Sequence, residues 1–189
     1  MNRFSREVAL VVVDVQEGFC GPHTEDLYQR IPDLLPLYQN IVLSHFINHA
    51  QSVVARLKGW LQMMDQDPGT VSAIEIPAGL EEDTLVVAKS GFSALTSTSL
   101  QWLRDRGIGI LHLCGNDTDL CVTGTARDAV EQGFHPIILG RYCASTGGPN
   151  MHEAGLLILK RLLGSHNVIT ASDPAAFPTS FVHPQVVHQ

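Results

Sequence analysis

The chain has 189 residues and a mass of 20.6 kDa, the size of one ordinary globular domain. Apolar residues make up 44% and charged residues only 16%, which excludes intrinsic disorder and points to a large core needing neither disulfides nor metal to fold. Twelve Lys and Arg against nineteen Asp and Glu give a formal net charge of -7 with no basic cluster, so no nucleic-acid partner is expected.

Met1 to Arg6 is polar and leads straight into Val8–Val13, an apolar run too short for a signal peptide or a membrane span. Continuous β-branched residues there predict a strand buried on both faces. The run ends in Asp14, within Asp14-Val-Gln16-Glu17-Gly18-Phe19. A carboxylate at that place is either a loop or helix-cap acceptor or a partly desolvated acid. A helix is expected over residues 25–38, interrupted by Pro32 and Pro36, followed by a strand at Ile41–Phe46 and a second helix over 51–65. The next strand, 85–88, leads into Lys89, which either snorkels to water or faces a site. A helix over 96–106 stops before Gly107, and a strand over 108–114 ends in Cys114.

That strand leads into Gly115-Asn-Asp-Thr-Asp-Leu-Cys121. Thr118 or Asp119 is expected to cap a helix over 120–132 whose first turn contains Cys121. At the positive end of a helix dipole the thiol would be shifted toward thiolate; otherwise it is a small buried hydrophobe. A strand at 136–139, the segment Ser145-Thr-Gly-Gly-Pro149, a helix over 151–163 and a strand at 168–170 complete the pattern. Cys20, Cys114 and Cys143 fit buried packing roles, and the four cysteines lack metal-ligand spacing, as in a reduced, cytoplasmic protein. Alternating strands and helices predict one α/β domain with a parallel sheet, and ligands bind beyond the carboxyl ends of such strands. Asp14, Lys89 and Cys121 all lie there, and together they suit a base, an electrostatic partner and a nucleophile.

The strings Asp14-x-Gln16-x-x-Phe19, Lys89-x-x-Phe92-Ser93-Ala94 and Gly115-x-Asp117-Thr118-Asp119-x-Cys121-Val122 resemble the isochorismatase-like hydrolases. Thr125-Ala126-Arg127-Asp128-Ala129 and Gly133 continue the likeness, which spans roughly Val8 to Thr170. The resemblance implies a three-layer α/β/α sandwich with a six-stranded, mostly parallel sheet in the order 3-2-1-4-5-6. It also implies an Asp14–Lys89–Cys121 triad, a cis peptide at Asn116–Asp117, and an oxyanion hole from the backbone N–H groups of Asp117 and Cys121. Cysteine at the nucleophile position is similar to the branch containing nicotinamidase and N-carbamoylsarcosine amidohydrolase, which act through a thioester. The implied strand order sets Lys89 two strands away from Asp14, so the lysine must reach inward from its strand end or from the following loop.

Metal-binding members of that branch carry Asp-x-His after the second strand. Here Leu43 and Ile47 stand where the aspartate would be, leaving only His45 and His49, so no metal and no cofactor are expected. Phe19, Trp60 and Phe92 fall where a substrate pocket would have its walls, or else belong to the core. Low charge content and an extension at 173–189 point to a homodimer or homotetramer. The leading function is a metal-independent cysteine hydrolase of a small amide or carbamoyl compound, with no membrane partner. An ester or vinyl-ether hydrolase, a non-catalytic small-molecule-binding homologue and a thiol redox protein are the competing readings.

Overall fold

Six consecutive apolar residues, none of them exposed, form the first strand, β1 (Val8–Val13). Alternate side chains of a strand point to opposite faces, and these six feed two separate cores. Leu10 and Val12 pack with Leu27, Ile31, Leu34, Leu35 and Tyr38, whereas Ala9, Val11 and Val13 pack with Leu103, Ala126, Ala129, Leu156 and Leu159. The sheet is therefore the middle of three layers. The computed structural model describes Phe4 and residues 7–180; His183 and His188 lie outside the described residues.

The elements run β1, α1 (Glu25–Arg30), β2 (Ile41–Phe46), α2 (Val53–Lys58), β3 (Thr84–Lys89), α3 (Ser97–Asp105), β4 (Ile110–Gly115), α4 (Thr123–Glu131), β5 (His135–Cys143), α5 (Pro149–Leu163) and β6 (Val168–Ile169). The sheet order is β3-β2-β1-β4-β5-β6, and every neighbouring pair is parallel. Strand order reverses between β1 and β4, which opens a crevice at their carboxyl ends. Gly115 closes β4 with φ of 112°, and a Cβ there would collide with the Val13 carbonyl oxygen. Only glycine allows the two strand ends to meet so closely.

Several predicted elements differ in extent. The helix expected over 25–38 stops at Arg30 and continues as two 3₁₀ turns, Ile31–Asp33 and Leu35–Leu37. Pro32 and Pro36 lack the N–H that an α-helix would need there. The helix expected over 51–65 is only the six residues of α2, ended by Gly59 in the left-handed conformation. Beyond it the chain is irregular, with Met63 and Gln66 also at positive φ. Strand β5 runs on to Cys143, past the expected end at 139, and regains its pairing with Gly115 after a bulge. Cys114 and Cys143 are buried as expected, but Cys20 is exposed. Among the described residues no helix is long and apolar enough to cross a membrane.

The start and end of the described chain meet over β4. Phe4 stacks on Tyr38 at 4.4 Å and on Phe177 at 6.2 Å, and both phenylalanines pack edge-on against His112. The fully buried imidazole spans Tyr38 Oη, 2.7 Å from Nδ1, and the Pro178 carbonyl, 2.8 Å from Nε2. A carbonyl only accepts, so Nε2 carries the proton and Nδ1 accepts from Tyr38. Burial pulls the His112 pKa from 6.5 down to about 4. The unfolded chain then binds more protons than the folded one between these values, so this contribution is whole above pH 6.5 and lost as pH falls toward 4. Urea melts from pH 7 to pH 4 should show a loss on the order of 3 kcal/mol that His112→Gln removes. Equal pH slopes in the two proteins would refute this role for His112.

Candidate active site

At the carboxyl edge of the sheet, β1 stops two positions short of its neighbour. Val13 pairs with Ser44, while β2 and β3 continue to the Phe46–Lys89 pair. Asp14 follows with φ of 52°, a left-handed conformation that aspartate adopts more readily than most residues. Its amide donates to the Ser44 carbonyl at 3.0 Å, and Oδ1 accepts from Ser44 Oγ at 2.9 Å. Lys89 does not snorkel outward. Its chain turns back over the Phe46 ring, 5.1 Å from the centroid, and places Nζ 2.6 Å from Asp14 Oδ2. The lysine thus crosses β2 from its own strand end. The two side chains are 1% and 2% exposed.

Cys121 arrives from the other side of the crevice, on a π-helical turn, Thr118–Val122, that precedes α4. The capping expected of Thr118 and Asp119 does not occur. Thr118 Oγ1 donates to the Ala144 carbonyl at 3.0 Å and lies 2.8 Å from His152 Nδ1, while Asp119 accepts from Ser145. These bonds pull the turn against β5 and α5 instead. Gly155 of α5 packs so closely on it that a Cβ would sit 2.7 Å from the Asp119 nitrogen. Lys89 Nζ comes within 3.4 Å of Cys121 Sγ, so the lysine bridges the Asp14 carboxylate and the thiol. The three predicted residues therefore meet.

The expected shift toward thiolate does not occur. Burial, then the Asp14 carboxylate, push the Cys121 thiol well above its ordinary value, and Lys89 offsets this only in part. Burial also raises the Asp14 carboxyl, against the opposing pull of Lys89, Cys121 and Ser44. A carboxylic acid remains far the stronger acid of the two. The 2.6 Å contact with Lys89 thus favours the ionised form of Asp14 against burial, while burial favours the proton on sulfur.

These groups open into a cavity of about 450 Å³. Phe19, Phe46 and Trp60 form its aromatic wall, with ring centroids 5.6–6.5 Å apart. Phe92 lies at its rim, 44% exposed. Asn116, Asp117, Leu120 and Thr146 line the opposite side. The Asn116–Asp117 peptide is cis, and both Asp117 carboxylate oxygens are held by Thr146, from its amide and its hydroxyl, at 2.7 Å each. The segment starting at Ser145 thus borders the site through Thr146. Among the described residues no protein acceptor takes the backbone N–H of Asp117.

The isochorismatase domain profile matches residues 8–173. The chain belongs to the isochorismatase family. It is 30% identical to an uncharacterised isochorismatase family protein of Escherichia coli O157:H7 over 161 residues, 75% of this chain and 81% of that one. It is 27% identical to the maleamate amidohydrolase of Pseudomonas putida, covering 90% of this chain and 86% of that one. Among solved structures it resembles the pyrazinamidase of Pyrococcus horikoshii in complex with zinc. The TM-score is 0.72 at 22% identity, over 83% of this chain and 96% of that one, a likeness of fold.

As an isochorismatase-family chain with such a zinc-bound structural neighbour, the protein invites a test of its own donors, and they do not fit a metal. Leu43 is core, His45 is a half-buried strand residue, His49 is exposed, and no three His, Cys, Asp or Glu converge among the described residues. Phe46 and Asn48 shape that corner instead. Asn48 Nδ2 donates to the carbonyls of Trp60 and Gln62, and its Oδ1 accepts from the His49 amide and Ser52 Oγ. The side chain staples the Trp60 loop onto the end of β2. Sequence reasoning missed Phe46, although it ends its strand as Lys89 ends the next. Asn48 and the Asn116 side chain carried no comparable signal, whereas Thr146 lies in the segment 145–149 that follows the fifth strand and was expected to border the site.

The charges around sulfur make opposed predictions. In a Cys20→Ser background, Lys89→Met should slow alkylation of Cys121 by iodoacetamide at pH 7.5 by about tenfold or more, whereas Asp14→Asn should accelerate it. Rates unchanged in both variants would show that neither charge acts on the thiol.

Proposed function

We propose that this protein is a cysteine amidohydrolase that cleaves the C–N bond of a small amide or carbamoyl compound through a thioester, without a metal. The observation that carries the reading is the convergence of Asp14, Lys89 and Cys121 at one end of an aromatic-walled cavity. Amidohydrolase relatives such as those acting on maleamate in Pseudomonas putida and on ureidoacrylate in Acinetobacter baylyi point to the same class, the latter over 40% of its length.

Chemistry follows from the proton inventory. Sulfur attacks the substrate carbonyl as its proton passes to Asp14, which the ion pair with Lys89 holds in the ionised form. The N–H groups of Asp117 and Cys121 donate to the oxygen as it gains negative charge; one such donor is worth about 3 kcal/mol. Asp14 then returns the proton to the departing nitrogen, the C–N bond breaks and an acyl thioester remains. Water adds to the thioester, its proton again passing through Asp14, and the thiol is restored as the acid leaves. Phe19, Phe46, Trp60 and Phe92 offer flat apolar contact to a planar substrate.

The same proposal includes a reducing, cytoplasmic setting, consistent with four free cysteines, and a single catalytic domain that assembles as a homodimer or homotetramer. Leu157, Ile158 and Leu162 expose an apolar face on α5 that such assembly would cover. Light scattering at a multiple of 20.6 kDa is expected, and a monomer mass would refute the assembly.

The decisive test is ammonia release from a panel of nicotinamide, maleamate, ureidoacrylate and N-carbamoylsarcosine. Wild type should turn over at least one of these, and Cys121→Ala should lower kcat/KM by at least about a thousandfold with the fold intact. Dialysis against EDTA should leave the rate unchanged. Turnover surviving in Cys121→Ala would eliminate the thioester, and strict dependence on added zinc would refute metal independence.

A further inference from the structure

Besides Asp14 Oδ2, which the Lys89 ion pair satisfies, one buried side-chain oxygen among the described residues has no hydrogen-bond partner. Asn116 is 1% exposed and lines the cavity, and its Oδ1 is buried without a hydrogen bond. A buried carbonyl oxygen left unpaired is costly, so native structures rarely keep one without a use.

The hydrogen-bond network fixes which end of this carboxamide is which. Tyr28 Oη lies 2.9 Å from the Gln16 carbonyl, which can only accept, so the single phenolic proton goes there. Tyr28 can then only accept from Asn116, whose Nδ2 lies 2.8 Å away. Flipping the amide would set two acceptors against each other. Oδ1 is therefore the end of the carboxamide left without a protein partner. The Asn116 amide also donates to the Val13 carbonyl at 2.8 Å, which anchors the residue one position before Asp14. On its other side follows Asp117, whose amide is open to the substrate oxygen.

We infer that Asn116 is a specificity-determining residue, whose Oδ1 accepts a hydrogen bond from an N–H of the substrate's departing nitrogen. This inference rests on the proposed amide hydrolysis and extends it. When the carbonyl carbon becomes tetrahedral, the nitrogen lone pair must face protonated Asp14 to take its proton. Its N–H bonds then point elsewhere, and an acceptor fixed beside the oxyanion donors holds that orientation. An ester places an oxygen at this position, which brings a lone pair against Oδ1 and no donor. Sites that hydrogen-bond a substrate N–H discriminate strongly against analogues lacking it, because the protein group is left unpaired. Asn116 thus selects primary amides and ureides over esters of the same acid.

The test compares kcat/KM for whichever of nicotinamide, maleamate, ureidoacrylate and N-carbamoylsarcosine the wild type hydrolyses with that for the methyl ester of the same acid. Asn116→Leu should lower the amide-to-ester ratio by about tenfold or more. Tyr28→Phe leaves Asn116 in place but frees its carboxamide to turn, and should lower the ratio less. Thermal melting checks that both variants fold. An unchanged ratio in folded Asn116→Leu, with the wild type hydrolysing the amide, would overturn the inference while leaving the amidohydrolase standing; Oδ1 would then merely hold water. If Asn116→Leu does not fold, an unchanged ratio in Tyr28→Phe overturns it. A wild type inert toward every amide in the panel would instead defeat the functional proposal and this inference with it.

Discussion

A lysine and an aspartate from strands that do not touch form an ion pair in the nearly dry interior, and the rest of the site is arranged around it. Desolvating two charges costs several kcal/mol for each, so such a pair is poor evidence of stability, although removing one partner costs about 3–5 kcal/mol. Its value lies in position. Lys89 pulls the Asp14 carboxyl toward its ionised form, against burial, next to a thiol that burial pushes up. To make the pair, β1 must end early, β2 must continue beneath the lysine, and the Phe46 ring must floor the gap. Sheet register, an aromatic side chain and the left-handed turn at Asp14 are all consequences of that one contact.

Irregular segments around the crevice lack strand or helix pairing, and buried carboxamides supply it. Gln16 donates to the Phe46 and Thr70 carbonyls and accepts from the Phe46 amide, tying the turn after β1 to the end of β2 and to a distant loop. Asn48 does the same for the Trp60 loop, and Asn116 ties the cis peptide segment to Tyr28 on α1. A carboxamide offers two donors and an acceptor without a charge, so it bonds backbone on both sides at low desolvation cost. Loops around the crevice are held in this way by neutral groups, and among the described residues the buried charges near sulfur are Asp14 and Lys89.

This division explains what the sequence disclosed. Runs such as Val8–Val13 are buried on both faces, which imposes a pattern readable without any tertiary knowledge, and their polar followers Asp14 and Lys89 stand out against it. Strand order and the convergence of Asp14, Lys89 and Cys121 were legible for that reason, helped by the family motifs. Helix lengths were not, because Pro32, Pro36 and Gly59 end helices at points that apolar periodicity alone runs across. Asn48 and Asn116 were silent because an asparagine after a strand usually means only a turn. The direction of the thiol's shift was misjudged for a physical reason. A dipole argument weighs only the following helix, whereas desolvation and Asp14 act directly on a sulfur that α5 and β5 have drawn inward.

That misjudgement bears on how the site works. A preformed thiolate would be reactive toward any electrophile and any oxidant that reached the cavity. In the proposed hydrolysis, a buried neutral thiol beside a carboxylate attacks a placed carbonyl as its proton passes to Asp14. The acid so formed then faces the departing nitrogen, which needs that proton and, in an amide, carries further N–H groups to be oriented. A thiolate needing no base would leave Asp14 unprotonated when the C–N bond had to break. In that proposed mechanism the depth that raises the sulfur's pKa therefore also keeps on the thiol the proton needed for the harder half of the reaction, to be delivered through the same buried carboxyl that contacts Lys89.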